Sequence, residues 1–368
     1  MSRSTALAAV LLTLLLLAAT AAPAQAVAPK LRVAFVLLAD KDDQGWSTSH
    51  YEGIEAMKKQ LGGRVAVAVT ENVAAPDKAE AVFREYARQG YDLIFGTTFD
   101  HMEPMLKVAA EFPRTKFMHC AGYKTLPNMG TYMVRIEQGE YLAGYLAGLM
   151  GYRNVGTVGT VPIAEVARGI NAFTLGLARG LAESGAKHDP ARLNTVVWLN
   201  AWRDAVHEKA LAEELAGRGH DLIREMADTS DSSRAACAKG VAAVGYGTDS
   251  VRYGSACALT STTLEWGPVY TSIVRQVLAG TWKSGAVFTG FEGGGVGLAP
   301  FGKAVPKAVR AKVLALKAKM VKGEDMSFAG PVFDQAGTLR IPQGAKATDK
   351  ELLSMDWLVM GVSGTLAK

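Results

Sequence analysis

Residues 32–38, RVAFVLL, form a continuous apolar run, which is typical of a strand buried on both faces of a sheet. The amphipathic segment at 49–61 follows it and ends at two glycines, which predicts a helix. A β-branched run at 65–70 predicts the next strand. The alternation continues to a strand predicted at 131–136, and it begins again with a helix at 140–150. Such repeated βαβ units predict parallel sheets with right-handed crossovers.

Two successive series of this kind predict two similar lobes. Ligands of open α/β sheets bind outside the carboxyl ends of the strands, so two facing lobes would enclose one cleft. We therefore expect an α/β protein in which two doubly wound parallel-sheet lobes hold a ligand between them. The remaining strands are predicted at 92–96, 116–120, 154–160, 195–199, 221–226, 241–246 and 256–260, and the remaining helices between Asp77 and Gly90 and at 101–112, 163–184, 205–218, 233–239, 268–278 and 305–321.

The composition is that of a globular protein with enough chain for two cores. The sequence has 368 residues, of which 49% are hydrophobic and 20% are charged. Its formal net charge is +5, and the charges are spread without a block of one sign. Because a basic stripe and a base-stacking motif are both missing from the sequence, we expect no nucleic-acid partner.

The N-terminus predicts export. Arg3 is followed by an apolar run at 6–22 and by Ala24-Gln25-Ala26, a small-x-small cleavage site, so we expect residues 1–26 to be a removed signal peptide. No cysteine follows this site, which argues against a lipid anchor, and no other stretch is apolar and long enough to span a membrane. We therefore expect a mature periplasmic chain without a membrane span.

The cysteines fit an oxidising compartment and argue against a metal site. Cys237 and Cys257 are close enough in sequence to pair, whereas Cys120 follows an apolar run and is expected to be a buried free thiol. Six scattered histidines give no paired ligand spacing. We expect neither a metal nor another cofactor.

The segments that follow predicted strands carry the candidate binding residues. Trp46 follows the first strand and Trp202 follows the strand at 195–199, so the two indoles occupy comparable positions in the two lobes. If the lobes close, the indoles would sandwich a flat ligand, with about 0.5–1.5 kcal/mol of stacking beyond area burial. A helix start, with Ser47 as its N-cap and the Trp46 ring over the helix, explains the first of these segments equally well. Further candidates at strand ends are Ser47 itself, Phe99, Asp100 and Asp249.

Two other segments have candidate residues and more ordinary explanations. The stretch 290–300, GFEGGGVGLAP, lacks both the Walker ending and the dinucleotide fingerprint, so we interpret it as a turn between short extended segments, with Glu292 bordering the cleft. Arg135 and Glu137 lie where the first series of elements gives way to the second. They are either polar surface at the hinge or ligand-facing side chains.

The ordered motifs of the chain resemble those of one known family. They are DQGWS at 43–47, YEG at 51–53, EYLAG at 140–144, WRD at 202–204, GTD at 247–249 and LTS at 259–261. The set resembles the basic membrane protein family, whose substrate-binding proteins serve ATP-binding-cassette importers of nucleosides and purines. The resemblance covers nearly the whole mature chain.

The resemblance implies a type I periplasmic-binding fold and a base held between two aromatic rings. The first family aromatic corresponds to Trp46 and the second to Trp202 or a neighbour, while Ser47 stands where the family often has Asn. The family's second-lobe aspartate, which helps to hold ribose in nucleoside-binding members, corresponds to Asp249. The family also implies a permease as partner, and we expect a monomer.

Two departures from the family bear on the ligand. Nucleoside binders carry an Asp at the end of the first strand and a Lys after the Thr-Ser step, and these positions fall near Leu37 and Leu264 here. We therefore expect a free purine base such as adenine rather than an intact nucleoside. A sugar or an amino acid on the same fold is an alternative. An exported nucleoside hydrolase is another, although 40–43 is the only dense acidic run and has no matching histidine.

The type I fold divides the mature chain at a three-segment hinge. We expect the chain to cross between lobes near Ile136, Ser261 and Gly330. The expected ranges are 27–136 plus 262–329 for lobe 1 and 137–261 plus 330–368 for lobe 2.

Overall fold

The computed structural model describes residues 30–366. The predicted signal peptide, residues 1–26, lies outside the described residues. Among residues 30–366, no helix combines the length and the apolar character that crossing a membrane requires.

The described chain begins with strands and helices that alternate strictly, as the hydrophobic pattern predicted. These elements build one sheet and the helices that cover it. They are β1 (Leu31–Val36), α1 (Trp46–Leu61), β2 (Val65–Thr70), α2 (Pro76–Arg88), β3 (Leu93–Gly96), α3 (Met102–Glu111), β4 (Lys116–Cys120) and β5 (Met129–Val134).

A second alternating series follows directly and builds a second sheet. It consists of α4 (Ile136–Leu149), β6 (Val155–Gly159), α5 (Ala164–Ser184), β7 (Asn194–Trp198), α6 (Ala205–Gly217), β8 (Leu222–Met226), α7 (Asp231–Ala238), β9 (Ala242–Gly247) and β10 (Ala258–Leu264). The remainder of the chain adds α8 (Trp266–Leu278), β11 (Ala286–Thr289), β12 (Val296–Leu298), α9 (Lys307–Val321), β13 (Val332–Phe333), β14 (Leu339–Ile341), α10 (Asp349–Leu353) and β15 (Val362–Ser363).

The two large sheets have the same strand order. The first runs β2-β1-β3-β4-β5-β11, and the second runs β15-β7-β6-β8-β9-β10-β12. Neighbouring strands are parallel throughout, except for the antiparallel edge strand β12. The prediction of an α/β protein with two doubly wound parallel sheets is confirmed.

Sheet membership also indicates where the chain passes between the lobes. Helix α8 packs against α1, and β11 pairs with β5, so the chain returns to the first lobe after β10. It leaves again before β12, which pairs with β10. We propose that the crossings lie at Arg135, at Glu265 and between Thr289 and Val296, the last of these well before the expected position near Gly330.

Helix α4 is the buried centre of the second lobe, and it packs against α5 with the two backbones in close contact. A Cβ on Gly144 would lie 2.0 Å from the carbonyl oxygen of Phe173, and a Cβ on Gly176 would lie 2.0 Å from that of Tyr141. Only glycine permits this approach, because a side chain would meet rigid backbone. The packing fixes the position of α5 along its whole length.

Two buried ion pairs tie α4 to its neighbours. Glu137 Oε2 accepts a hydrogen bond from Arg168 Nε at 2.9 Å, and Glu140 Oε2 accepts two from the guanidinium of Arg224, at 2.8 and 2.6 Å. All four side chains are almost completely buried. Removing one member of such a pair would leave an uncompensated buried charge, at a cost of about 3–5 kcal/mol.

A disulfide joins Cys237, near the end of α7, to Cys257, just before β10. Cys120 is free and buried, as expected from its apolar surroundings. The bridge closes the segment that contains β9 and the turn after it.

We expect the double variant Cys237→Ser/Cys257→Ser to lose about 3 kcal/mol of unfolding free energy, because the bridge restricts the unfolded chain over a loop of this length. Its cysteines are separated by 20 residues. Urea unfolding with and without reductant measures the effect. The reduced wild type should match the double variant, whose midpoint should not respond to reductant. A wild-type midpoint that reductant leaves unchanged would contradict this expectation.

Candidate functional site

The strand order reverses at one point in each sheet, between β1 and β3 in the first and between β6 and β8 in the second. Ligands of doubly wound sheets bind beyond the carboxyl ends of the strands at such points. The two reversal points face each other across the lobe junction and enclose a cavity. Its lining residues are Leu38, Trp46, Thr98, Phe99, Thr160, Glu165, Val166, Trp202, Met226, Asp228 and Tyr246.

Trp46 forms a fixed aromatic wall on the first lobe. It is the first residue of α1, whose start is held by the buried Asp43, because the Asp43 carboxylate accepts hydrogen bonds from the backbone N–H groups of Ser47 and Thr48 at 2.8 and 2.9 Å. The Trp46 indole N–H donates to the carbonyl oxygen of Thr97 at 2.7 Å, which orients the ring.

Trp202 approaches the cavity from the second lobe, in the segment that follows β7. Its indole N–H donates to Asp100 Oδ2 of the first lobe at 2.7 Å. The neighbouring Arg203 lies 3.5 Å from Asp40, also of the first lobe. The segment after β7 therefore covers the cleft and is attached to the opposite lobe by polar contacts.

Asp228 is a buried carboxylate that lines the cavity just after β8. Its side chain makes no hydrogen bond to any of residues 30–366. Burial, followed by the negative charges of Asp43 and Glu165, raises the pKa of Asp228 well above its usual range.

Glu165 lies in the first turn of α5 and is the second carboxylate of the cavity. Burial raises its pKa to about 7, against the opposing effect of the Arg168 charge. Glu165 Oε1 accepts a hydrogen bond of 3.3 Å from the hydroxyl of Tyr246, which also lines the cavity.

The loop before α1 makes the closest contacts between the lobes. A Cβ on Gly45 would lie 2.2 Å from the carbonyl oxygen of Asp228, so the two backbones touch. The carbonyl oxygen of Gln44 accepts a hydrogen bond from Thr248 Oγ1 at 2.6 Å, and the side-chain oxygen of Gln44 accepts another from Arg234. The lobes are therefore closed on each other in this structure.

The closed cavity is narrow. Its free volume is about 10 Å³. One water needs roughly 10–15 Å³ on this measure. A ring-shaped ligand therefore requires the lobes, or the Trp202 side chain, to move apart.

The structure brings several of the sequence-predicted residues together. Trp46, Phe99 and Trp202 line the cavity, and Asp100 is one hydrogen bond away through the Trp202 indole. Ser47 is buried beside them but does not line the cavity, because its hydroxyl accepts a hydrogen bond from the backbone N–H of Ala39 at 3.2 Å.

Four predicted residues lie elsewhere. Glu137 is buried against Arg168, while Arg135 and Glu292 line a separate recess beside Asp325 and Lys346. Arg135 donates to Asp349 at 2.7 Å, and Glu292 accepts from the backbone N–H of Gly290 at 2.8 Å. Asp249 lines a third recess and caps a short turn through the N–H of Val251. The structure thus gives these residues structural contacts and places none of them at the cavity.

Five cavity residues with polar side-chain atoms were not recognised from the sequence: Thr98, Thr160, Glu165, Asp228 and Tyr246. Thr160 follows β6 and Asp228 follows β8, the two strands at the reversal point of the second sheet. The segments after β1, β3, β7 and β9 were selected because ligands bind beyond the carboxyl ends of parallel strands. The same rule applies to the segments after β6 and β8, so it would have found Thr160 and Asp228.

Comparison with known proteins identifies relatives over almost the full length of the described chain. The family model described as Bmp, ABC transporter substrate-binding protein PnrA-like, matches residues 30–325. A purine-binding protein of Brucella abortus strain 2308 is 35% identical over 338 residues, which cover 92% of this chain and 94% of the relative. A protein of Haloferax volcanii that carries the name of an ABC transporter glucose-binding protein is 34% identical over 305 residues, covering 83% and 75%.

The fold has solved counterparts. The chain is similar to an ABC transporter solute-binding protein from Conexibacter woesei DSM 14684, with a TM-score of 0.63 and 26% identity over 80% of this chain and 98% of that one. This likeness and the two doubly wound sheets confirm the predicted type I periplasmic-binding fold.

We expect Asp228→Asn to stabilise the protein at neutral pH. Because the pKa of Asp228 is raised by folding, the folded chain retains a proton that the unfolded chain releases, so stability falls as the pH rises above the ordinary aspartate pKa. The variant has no such ionisation. It should exceed the wild type by on the order of 1 kcal/mol at about pH 7, and the difference should shrink toward about pH 4.

Urea unfolding at the two pH values measures this difference. Asp356→Asn is the matched control, because Asp356 is exposed and makes no side-chain hydrogen bond to residues 30–366. The control should change stability little and equally at both pH values. An Asp228→Asn effect that is the same at both would contradict the expectation.

Proposed function

The chain belongs to the family of PnrA-like ABC transporter substrate-binding proteins, and we propose that it captures a purine-type ligand between its lobes for delivery to an ABC importer. The observation that carries the proposal is the cavity at the two facing reversal points, where aromatic rings and unpaired carboxylate oxygens meet. A purine offers flat faces to the rings and N–H groups to the carboxylates.

The aromatic side chains suit a flat heterocycle. Trp46, Phe99 and Tyr246 are contributed by different strand ends, and Trp202 covers them from the segment after β7. Stacking on such rings contributes about 0.5–1.5 kcal/mol per ring beyond the burial of area. The name of the Brucella abortus relative, a purine-binding protein, supports the same ligand class.

We further propose that a free base is preferred over a nucleoside. Leu37 and Leu264, which stand where nucleoside-binding members of the family have Asp and Lys, are both buried and offer no polar group to a ribose. Asp249, the expected ribose partner, lines a different recess. The narrow cavity also favours the smaller ligand.

Binding proceeds in this proposal by closure of the lobes around the ligand, as in other two-lobed binding proteins. The closed form then docks on the permease. We propose that the protein acts as a periplasmic monomer, exported by the predicted signal peptide and without a lipid anchor, and that it has no catalytic activity of its own.

A sugar is the second candidate ligand. The name of the Haloferax volcanii relative favours it, and indole faces with carboxylates also suit sugar hydroxyls. A sugar would engage Asp228 and Glu165 through O–H groups rather than ring N–H groups.

We expect free purine bases to raise the melting temperature of the protein, whereas nucleosides, glucose and amino acids should raise it little, since only a ligand of the folded state stabilises it. Trp202→Ala should weaken base binding by about tenfold, the loss of one stacked ring. Thermal unfolding measures the melting temperatures, and calorimetric titration measures the affinities. Trp282→Ala is the matched control, because Trp282 is also partly buried but does not line the cavity. A response to glucose alone would replace the purine by a sugar.

Gly45→Ala should weaken binding by hindering closure. The added methyl group would overlap the Asp228 carbonyl of the opposite lobe, which favours the open form and lowers the apparent affinity by about tenfold or more. Gly63→Ala is the matched control, since a Cβ there meets nothing within 4 Å. Calorimetric titration with adenine measures the affinity, and thermal unfolding should show both variants folded. Equal affinities for the two variants would contradict closure at this contact.

A further inference from the structure

The cavity wall carries two carboxyl groups. Glu165 and Asp228 line the cavity, and no lysine, arginine or histidine of residues 30–366 does. More acids lie behind the wall, because the charges of Asp43, Glu208 and Glu225 all act on Asp228. Among the described residues, the wall therefore offers a ligand carboxyl oxygens and no cation that could pair with an anion.

Within residues 30–366, Asp228 differs from these neighbouring acids because its side chain has no hydrogen-bond partner. Asp43 holds the start of α1, while Glu208 accepts hydrogen bonds from the backbone N–H and hydroxyl of Ser232, and Glu225 accepts one from the hydroxyl of Ser233. The oxygens of Asp228 accept no hydrogen bond from residues 30–366, although the residue is buried, with only 6% of its surface exposed. A buried acceptor that has no hydrogen-bond partner gains most from a ligand that donates a hydrogen bond to it.

Glu165 also keeps capacity to accept. Its contact with the Tyr246 hydroxyl is long, at 3.3 Å. Arg168, the nearest cation, directs its hydrogen bonds away from Glu165, to Glu137 at 2.9 Å and to the carbonyl oxygen of Leu352 at 3.0 Å. The guanidinium is almost completely buried and does not line the cavity, so an anionic ligand there would not contact it.

We propose that Asp228 and Glu165 are specificity-determining residues, which make the cleft select neutral or cationic bases rich in N–H donors and reject anionic oxopurines. The inference rests on the proposed purine site and narrows its ligand class. Adenine and 2,6-diaminopurine belong to the accepted class, whereas urate, an anion at neutral pH with a ring system of similar size, belongs to the rejected one.

The selection follows from the chemistry of the wall. A donor-rich base satisfies the carboxylate oxygens on entering, and hydrogen bonds to charged acceptors are the stronger kind. An anion would bring its negative charge beside two carboxyl groups, and no cation of the described residues lies on the wall to balance it. Rejection by unpaired like charge is a common route to specificity.

The test is calorimetric titration of the full-length mature protein with adenine and with urate at about pH 8, which lies above the pKa of about 7 of Glu165. The wild type should bind adenine at least about 100-fold more tightly than urate, because placing like charges side by side at an interface costs several kcal/mol. Asp228→Asn and Glu165→Gln should each reduce this ratio by about tenfold, because each removes one ionisable carboxyl group from the wall. Asp356→Asn, an exposed change of the same charge, should leave the ratio unaltered.

The outcomes separate this inference from the proposed function. If the wild type binds urate as tightly as adenine, the purine site stands and the inference is overturned, whatever the variants do. If the ratio is high but neither variant lowers it, the two carboxylates are not its source. If neither purine binds, the proposed function fails, and the inference fails with it. Thermal unfolding confirms that each variant is folded.

Discussion

The close backbone contact between α4 and α5 is the constraint on which the second lobe depends. Glycines at the crossing allow the two helices to meet without side chains between them, and this fixes the line along which α5 runs. The first turn of α5 carries Glu165 and Val166 into the cavity, and the next turn carries Arg168 to its buried partner on α4. Since α4 begins directly after β5, the helix pair also sets how the second lobe follows from the first.

The two lobes contribute different chemistry to the cleft. The first lobe offers Trp46, Thr98 and Phe99, and thus rings without charge. The second offers Glu165 and Asp228, and thus both carboxyl groups of the wall. Only closure brings the aromatic and the acidic halves within reach of one ligand. The hydrogen bond between Trp202 and Asp100 reverses this division, because here the second lobe contributes the ring and the first lobe the acid.

Local patterns predicted the fold well and the site in part. The strands at 65–70 and 116–120 have the predicted bounds, since apolar runs flanked by turn residues leave few alternatives. Helix α4 begins at Ile136, before its predicted start at 140, because Glu137 is stabilised there by Arg168, which is distant in sequence. The aromatic residues of the cavity were recognisable from their positions after strands. Whether Asp228 or Asp249 lines the cavity depends on how one sheet packs against the other. The sequence of a single segment does not determine that packing.

The placement of β11 has a consequence for the order in which the protein can be completed during synthesis. This strand pairs with β5 at the edge of the first sheet, yet β6 through β10 of the second sheet all precede it in the chain. While a nascent chain grows from its N-terminus, the outer edge of β5 therefore has no strand to pair with until residues 286–289 have emerged. An open strand edge is a template for pairing with other chains. A chain that stops short of Thr289 would keep that edge permanently, so the first lobe is complete only when most of the second has already been made.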